Sequence, residues 1–594
     1  MTSADGQLTL PESREVYANE RSKRIRPDGR AQYSDLTGQF ASFDDDPFVE
    51  PGFTRDSVTE EVEVVIIGAG FGGMLAAANL RKQGIDSFRI IEKAGDFGGT
   101  WYWNRYPGCM CDVESYCYLP MLEDTGYMPT MRYAQAYEIF EYCQLIGRTF
   151  DLYENAYFQT QVDTMDWSDA DSSWTTVTSR GDRITSKYIV IAGGVLSHAK
   201  LPGIKGITNF KGRMFHTSRW DYNYTGGTPR GGMDKLADKR VAIIGTGATA
   251  VQVVPRVAEA AKDVYVFQRT PAFVGVRNQA LTDEAAFKEM ASKPGWQDER
   301  IRNFTASVCG LKPESNMVGD EWTNVMWEDT TALNGDPAHD EALEQHDLDI
   351  MNAARKRVAD TVNDPETAAK LMPYYGVRCK RPCFHDEYLP AFNRDNVHLI
   401  DTAGMGVDEI SENGVVVDGV EYPVDLIVFA SGFEVTTDYH HRLGFDPKGR
   451  NGTSMSESWG EGAHTYHGVF THDFPNLLMI STVQGGFGVN FVHYITEVAK
   501  HVAMVIAECD RQGITEIEAD PAAEDEWLML LLGRMGGIGT YNATCTPGYL
   551  NSEQEAGDMK AGRNAAFWGS VQEYAQHLID WREAGDYAGV IVKR

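Results

Sequence analysis

Two glycine-rich turns, each placed directly after an apolar run, carry the first recognisable chemistry of this chain. One reads Gly68-Ala-Gly70-Phe-Gly72-Gly73 after residues 64–67, and the other reads Gly245-Thr246-Gly247-Ala248-Thr249-Ala250 after residues 241–244. In a strand–turn–helix unit, such a turn lets backbone N–H groups approach a pyrophosphate at the positive end of the helix. The sequence therefore predicts two dinucleotide sites.

The residue that ends the following apolar run distinguishes the two sites. Glu92 and Arg269 each lie 24 residues beyond the first glycine of their turn. A carboxylate accepts a hydrogen bond from a free ribose 2′-hydroxyl, whereas a guanidinium suits a 2′-phosphate. Glu92 therefore predicts FAD or NAD, and Arg269 with the hydroxyl of Thr270 beside it predicts NADP. A lone glycine motif is a weak signal, but a matched pair with inverted charge is a strong one.

Composition narrows the class of protein. The chain has 594 residues, which is enough for two or three domains, and its formal net charge of −32 argues against a nucleic-acid partner. No apolar run approaches the roughly 18–20 residues of a membrane span, and the first 20 residues lack the apolar core of a signal peptide. The nine cysteines form no CxxC pair and no disulfide framework. We therefore expect a soluble, cytoplasmic protein with reduced thiols and no metal site.

The alternation of strand-like and helix-like segments predicts an α/β fold with two Rossmann-like dinucleotide-binding domains. Charged amphipathic segments between about 275 and 372 predict a helical insertion in the NADP domain. The strand-then-glycine pattern at 426–433 repeats the one at 188–194, as if the chain returned there to the first domain. The predicted order is an N-terminal extension (1–60), FAD domain (61–205), NADP domain (206–400), second FAD part (401–530) and C-terminal segment (531–594). Whether the extension is a tail or an arm over the body is left open.

Two further stretches carry a family resemblance. They are Gly98-Gly-Thr100-Trp101-Tyr-Trp-Asn-Arg-Tyr-Pro-Gly-Cys-Met-Cys-Asp112 and Phe210-Lys-Gly-Arg-Met-Phe-His216-Thr-Ser-Arg-Trp220-Asp221. Both resemble the fingerprints of the Baeyer–Villiger monooxygenases, and the resemblance covers roughly residues 60 to 500. It implies FAD and NADPH as cofactors. It also implies a ketone and O2 as substrates, and insertion of oxygen beside the carbonyl, through a flavin C4a-peroxide, to give an ester or lactone.

The resemblance also assigns roles to individual residues. It implies that Arg381 is the active-site arginine, that Asp112 orients it, and that Lys380 assists Arg269 with the nicotinamide cofactor's phosphate. It places His216 in a linker that couples NADPH movement to the flavin, although a purely structural histidine stays possible. Flat rings and a hydroxyl suit the isoalloxazine, and a backbone contact suits the adenine; the residues expected there are Thr100, Trp101, Tyr118 and, for the adenine, Val162.

Other functions remain open at this stage. A flavin-dependent N- or S-oxygenase would share both dinucleotide units, and so would a catalytically silent flavoprotein that binds NADP. A disulfide reductase is disfavoured, because Cys109-Met-Cys111 has the wrong spacing for a redox pair. The N-terminal extension and residues 545–551 resemble those of family members that accept large cyclic or polycyclic ketones. The particular ketone and the oligomeric state are not predicted.

Overall fold

The computed structural model describes residues 5–435, 437–554 and 559–594. The first glycine turn follows a strand of the first large sheet. Within the described residues this sheet has seven strands, and a three-strand arm of it is antiparallel. In spatial order they are Ala156–Tyr157, Phe88–Ile91, Thr59–Ile67, Arg183–Ile191, Ser173–Thr178 and Val162–Ser168, with Leu477–Met479 also paired to Arg183–Ile191. Val64, Val65 and Ile66 are fully buried, as expected for a parallel strand covered on both faces.

The helices of this first domain cover the sheet. The helix Phe71–Lys82 begins directly after Gly70, carries Arg81 and Lys82 in its last turn and packs against Phe491–Arg511. Basic residues in a last turn stabilise the negative end of the helix dipole. The other helices of this part are Thr100–Trp103, Ser115–Tyr118, Leu122–Thr125, Ala136–Thr149, Tyr439–Leu443, Met455–Ser458 and Pro521–Arg534.

The second sheet contains the second glycine turn and is entirely parallel. Its five strands, counted over the described residues, are Val397–Asp401, Asp263–Gln268, Arg240–Ile244, Leu426–Phe429 and Arg213–His216 in spatial order. Tyr222–Thr225, Ala248–Ala260 and Tyr388–Ala391 are helices of this domain, and a small antiparallel sheet (Glu409–Ile410, Gly414–Val417, Val420–Pro423) follows its last outer strand. Two Rossmann-like domains are thus confirmed.

One expected boundary is wrong. Leu426–Phe429 does not return to the first domain, because it pairs in parallel with Arg240–Ile244 in the second sheet. The second part of the first domain therefore starts after this strand and not at residue 401. Each domain has its own strand that ends in a small residue beside the glycine turn. A Cβ on Gly68 would lie 2.6 Å from the Ala192 oxygen, and one on Gly245 would lie 2.5 Å from the Ala430 oxygen. The sequence pattern of a strand followed by small residues is therefore repeated because both domains need a small residue where this strand passes the glycine turn.

The predicted helical insertion in the second domain is confirmed. It lies between two short paired strands, Val274–Gly275 and Cys383–Phe384. Its helices are Glu284–Ala291, Trp296–Val308, Glu321–Val325, Pro337–Thr361 and Pro365–Leu371. The longest of them starts where Asp336 caps the backbone N–H groups of Ala338 and His339, with proline in the first helical position.

The N-terminal extension is an arm that lies over the body. Its helix Leu10–Ser22 starts with a capping box between Thr9 and Glu12. Leu8 and Leu10 pack against Leu348 of the insertion, and the strand Tyr33–Ser34 pairs with Leu201–Pro202. The question that composition left open is therefore settled in favour of an arm.

The C-terminal segment contributes the helices Gly536–Thr544, Met559–Arg563 and Val571–Ala584 and the strand Val590–Lys593, which pairs with Glu516–Ala519 of the preceding part. It also corrects the expectation of reduced thiols throughout, because Cys379 and Cys545 form a disulfide. The two cysteines are 166 residues apart, so their spacing in the sequence carried no signal. None of the helices in the described ranges is both long and apolar enough to traverse a lipid bilayer.

Candidate active site

One cavity of about 1870 Å³ connects both glycine turns. Its lining includes the start of each long helix, Gly70 with Phe71 in the first domain and Gly247 with Ala248 in the second. The free N–H groups and the dipole at a helix start favour a bound anion. Two such helix starts at one cavity fit two dinucleotides, each with its pyrophosphate at one helix start and both within the same cavity.

On the first side, the glycines create room for a ligand. A Cβ on Gly99 would lie 2.6 Å from the Gly70 Cα atom, so the two turns touch through their backbones. The carboxylate of Glu92 accepts hydrogen bonds from the Ala69 and Ala94 N–H groups at 2.6 and 2.7 Å and lines the cavity. Burial raises the pKa of Glu92, against the opposing effect of these two bonds. These bonds hold the carboxylate in place at the tip of its strand.

Aromatic residues form the wall beside this turn. Trp101 donates from Nε1 to the Tyr118 hydroxyl at 3.2 Å, and the two rings meet edge to face. Thr100 lies at the start of the short helix Thr100–Trp103, and Val162 begins the strand Val162–Ser168. All four predicted residues line the cavity, and Trp101 and Tyr118 are in direct contact there.

The second side is cationic. Arg269 and Thr270 line the cavity at the end of their strand, with Thr246 and Thr249 of the glycine turn. The Thr246 hydroxyl donates to the Thr270 carbonyl oxygen at 2.6 Å, which joins the turn to the tip of the next strand. Lys380 lies in the same cavity and donates to the Pro547 carbonyl oxygen at 2.8 Å. Burial, followed by the charge of Arg269, lowers the pKa of Lys380 to about 7.

Between the two sides, Arg381 forms a bidentate pair with Asp112. Nη1 and Nη2 of Arg381 donate to the two carboxylate oxygens, each at 2.6 Å. The arginine side chain keeps 37% of its surface exposed, and the aspartate only 8%. The carboxylate is thus behind the guanidinium, which faces the cavity. Burial by itself would raise the pKa of Asp112, but the charge and hydrogen bonds of Arg381 hold it below its ordinary value.

Three predicted residues do not line the cavity. His216 is 1% exposed at the end of its strand, its Nδ1 contacts the backbone and hydroxyl of Ser218, and burial lowers its pKa to about 3. Gly73 faces the Gly68 carbonyl oxygen, where a Cβ would come within 1.8 Å. Ala250 is fully buried in the helix that follows the second turn. Gly73 and Ala250 therefore allow the helices to pack closely against their strands, and His216 has a structural environment.

The structure also adds residues that sequence reasoning missed. Trp322 from the helical insertion lies with its ring 5.2 Å from the Arg381 guanidinium, and Arg277 donates to the Cys111 carbonyl oxygen beside Asp112. Lys200, Gln32 and Glu553 surround Arg269. No local pattern marks these residues, because each comes from a different segment and meets the site only in the folded chain.

The fold and this cavity define a class of protein, a flavoprotein with two dinucleotide sites. In agreement, residues 62–292 match the family model described as pyridine nucleotide-disulphide oxidoreductase. The chain is similar to a Baeyer-Villiger monooxygenase of Stachybotrys chlorohalonatus, with 43% identity over 98% of this chain and 94% of the relative. It is also similar to the solved polycyclic ketone monooxygenase of Thermothelomyces thermophila, with 35% identity, coverage of 98% and 99%, and a TM-score of 0.92.

A further solved structure, a complex of the enzyme OTEMO with FAD and NADP, is 25% identical, covers 90% of this chain and 99% of its own, and has a TM-score of 0.75. These similarities extend over nearly the whole length of the chain. The chain belongs to the Baeyer–Villiger monooxygenases, flavin-dependent oxidoreductases that use FAD and NADPH.

Proposed function

We propose that this protein inserts one oxygen atom from O2 beside the carbonyl of a bulky cyclic ketone and releases an ester or lactone. The observation that carries the proposal is the Arg381–Asp112 pair in the cavity shared by both glycine turns. When bound, FAD reduced by NADPH reacts with O2 and supplies the oxygen atom that enters the product.

In this proposal Arg381 stabilises negative charge. A guanidinium cannot lose its proton near neutral pH, and its planar fork is already oriented before the substrate arrives. Attack on a ketone places negative charge on the carbonyl oxygen, and Arg381 faces the cavity where that charge would develop. Asp112 fixes the plane of the guanidinium from behind through two charge-assisted hydrogen bonds.

The dinucleotide assignments follow the two sides of the cavity. We assign FAD to Gly68, Gly70, Gly72 and Glu92, with the ring system along Thr100, Trp101 and Tyr118 and the adenine at Val162. We assign NADPH to the turn 245–249, with Arg269, Thr270 and Lys380 near its 2′-phosphate. Gly73, Ala250 and His216 support these elements without touching a ligand. The residues at the strand tips support this order, because Arg269 is placed to meet a 2′-phosphate, which only NADP carries, and Glu92 to meet a free 2′-hydroxyl.

The proposal of a bulky substrate has two supports. Apolar and aromatic side chains from three separate segments line the cavity, and the Trp322 ring lies over the Arg381 guanidinium; these residues are Trp322, Met326, Phe487, Ile538 and Tyr549. A surface of this kind suits a large apolar ring system with few hydrogen-bonding groups. In addition, the similar Thermothelomyces thermophila enzyme is a polycyclic ketone monooxygenase.

A ketone panel with product analysis tests the proposal. Purified holoprotein is incubated with NADPH, ¹⁸O2 and monocyclic, fused bicyclic and steroid-like ketones. We expect products heavier than the ketone by one ¹⁸O atom, with the polycyclic ketones converted at the lowest concentrations. NADPH consumption that yields only hydrogen peroxide would support a catalytically silent flavoprotein. Oxygenated amines or sulfides without ester formation would support the N- or S-oxygenase.

A further inference from the structure

The N-terminal arm connects the helical insertion to the rim of the second glycine turn. At its start, the Gly6 carbonyl oxygen accepts a hydrogen bond of 2.7 Å from Nε of Arg355, a fully buried arginine of the insertion. The helix Leu10–Ser22 then passes along the insertion. Beyond it the chain reaches Arg269 and Thr270, the residues at the tip of the strand Asp263–Gln268.

Arg24 forms the first contact there. It is 6% exposed, and its Nε atom donates to the Thr270 hydroxyl oxygen at 3.0 Å and to the Arg269 carbonyl oxygen at 3.1 Å. Its Nη1 atom pairs with the Glu20 carboxylate at 2.5 Å, which fixes the guanidinium from the other side. A hydroxyl that accepts from an arginine directs its own O–H elsewhere. Thr270 lines the cavity, so this geometry leaves its O–H available to a ligand.

Gln32 forms the second contact. Its Oε1 atom accepts a hydrogen bond of 2.8 Å from Nη1 of Arg269, and Gln32 itself lines the cavity. Nη2 of Arg269 faces the Glu553 carboxylate at 3.3 Å, and Tyr33 donates to the same carboxylate at 3.0 Å. The Arg269 guanidinium is therefore held at both of its amino groups before any ligand binds.

The charge at this corner is suited to an anion. Lys200 lies 3.8 Å from the Glu553 carboxylate that Arg269 also contacts, so two cations share one carboxylate. Burial lowers the pKa of Lys200 and of Lys380, and the charge of Arg269 lowers both further, so these cations repel one another and a bound anion would relieve that repulsion.

We propose that the N-terminal arm forms part of the site that recognises the 2′-phosphate of NADP. Arg24 orients the Thr270 hydroxyl as a donor, and Gln32 fixes the Arg269 guanidinium. Both are positioning residues, because they act through Thr270 and Arg269. The inference rests on the proposed assignment of those two residues to the 2′-phosphate.

Equilibrium binding separates this role from simple anchoring of the arm. The probes are adenosine 2′,5′-bisphosphate and adenosine 5′-monophosphate, which differ only in the 2′-phosphate, titrated calorimetrically into FAD-loaded protein. We expect Arg24→Ala and Gln32→Ala to weaken binding of the bisphosphate by about tenfold, the effect of one charged hydrogen bond. Binding of the monophosphate should stay within about twofold. Gln32→Glu should weaken the bisphosphate further, because a carboxylate would then repel the 2′-phosphate.

Arg14→Ala is the matched control. Arg14 is on the same arm and pairs with Glu344 of the insertion at 2.5 Å, but this pair is on the surface and neither residue lines the cavity. This variant should bind both probes like the wild type. Flavin content and melting temperature, measured for every variant, show whether each is folded.

Two outcomes would overturn the inference. Equal weakening of both probes would show that the arm only stabilises the domain, and unchanged bisphosphate binding would show that it does not reach the ligand. Arg269→Ala, titrated in parallel, identifies which proposal fails. If this variant loses the preference for the bisphosphate while Arg24→Ala and Gln32→Ala keep it, the arm is excluded and the assignment of Arg269 stands. If Arg269→Ala also keeps the preference, the 2′-phosphate site itself is misplaced.

Discussion

The Asp112 carboxylate and the Arg381 guanidinium, which lie 269 residues apart in the chain, are joined by two hydrogen bonds of 2.6 Å. Asp112 belongs to the loop after Trp101 in the first domain, and Arg381 follows the helical insertion of the second. Because both residues line the cavity that connects the two glycine turns, the pair links the two domains within that cavity. The position of the Arg381 guanidinium therefore depends on both domains, because Arg381 belongs to the second domain and Asp112, which orients it, to the first.

Replacing Arg381 by alanine should abolish ester formation without abolishing cofactor binding. The guanidinium is the group that faces developing negative charge, and removal of such a preorganised donor costs on the order of 10²–10³ in rate. We expect the Arg381→Ala protein to retain FAD and to be reduced by NADPH in stopped-flow absorbance, while its ester yield falls by at least that factor. Ester formation at the wild-type rate would remove Arg381 from the mechanism.

Replacing Asp112 by asparagine should have a smaller effect of the same kind. Asparagine keeps one acceptor but loses the negative charge and one of the two bonds that orient Arg381. Because hydrogen bonds to charged groups contribute about 1.5–3 kcal/mol, kcat should fall roughly tenfold to a hundredfold. Steady-state kinetics with a converted ketone measures the change. A kcat equal to that of the wild type would mean that Arg381 needs no partner.

NADP⁺ binding should take up a proton near neutral pH. Lys380 has a pKa of about 7 in the protein without ligand, and a 2′-phosphate stabilises its charged form and so raises this pKa. Affinity should therefore fall as the pH rises from 7 to about 9. Calorimetry in two buffers with different ionisation enthalpies measures the uptake directly. In the Lys380→Met protein, uptake and pH dependence should both decrease sharply. Proton release in the wild type would contradict the assignment.

Loss of the Cys379–Cys545 disulfide should destabilise the C-terminal segment. The bond closes a loop of 166 residues, and such cross-links stabilise proteins by about 2–4 kcal/mol. We expect Cys545→Ser to lower the melting temperature, whereas Cys309→Ser, at a free and half-buried thiol, should change it little. Peptide mapping without reduction should recover residues 379 and 545 in one cross-linked fragment. Equal melting temperatures for wild type and Cys545→Ser would contradict this prediction.

The glycine turns and their charged partners could be predicted because each is a local pattern of fewer than thirty residues. The expectation that Leu426–Phe429 belongs to the first domain is wrong for a related reason. Both domains need a small residue where a strand passes a glycine turn, so this local pattern does not tell the domains apart. The Arg381–Asp112 pair is different. Only the family resemblance predicted this contact, because no local spacing indicates which carboxylate pairs with which arginine when the two are so far apart in the chain.

Arg24 and Gln32 show most clearly which site residues could not be predicted from the sequence. They lie in a polar segment without helical or strand periodicity, so nothing in their neighbourhood separates a ligand-site residue from a solvated one. Their partners, Thr270 and Arg269, are more than 230 residues away. Only the folded arm shows where these side chains point.

Arg269 is contacted by Gln32 from near the beginning of the chain and by Glu553 from near its end. This corner of the cavity therefore cannot be complete on a nascent polypeptide until residue 553 has emerged from the ribosome. The two large sheets can form earlier, because the last of their strands ends at residue 479. Full recognition of the pyridine nucleotide is thus expected to be acquired only after the strands of both large sheets have been synthesised.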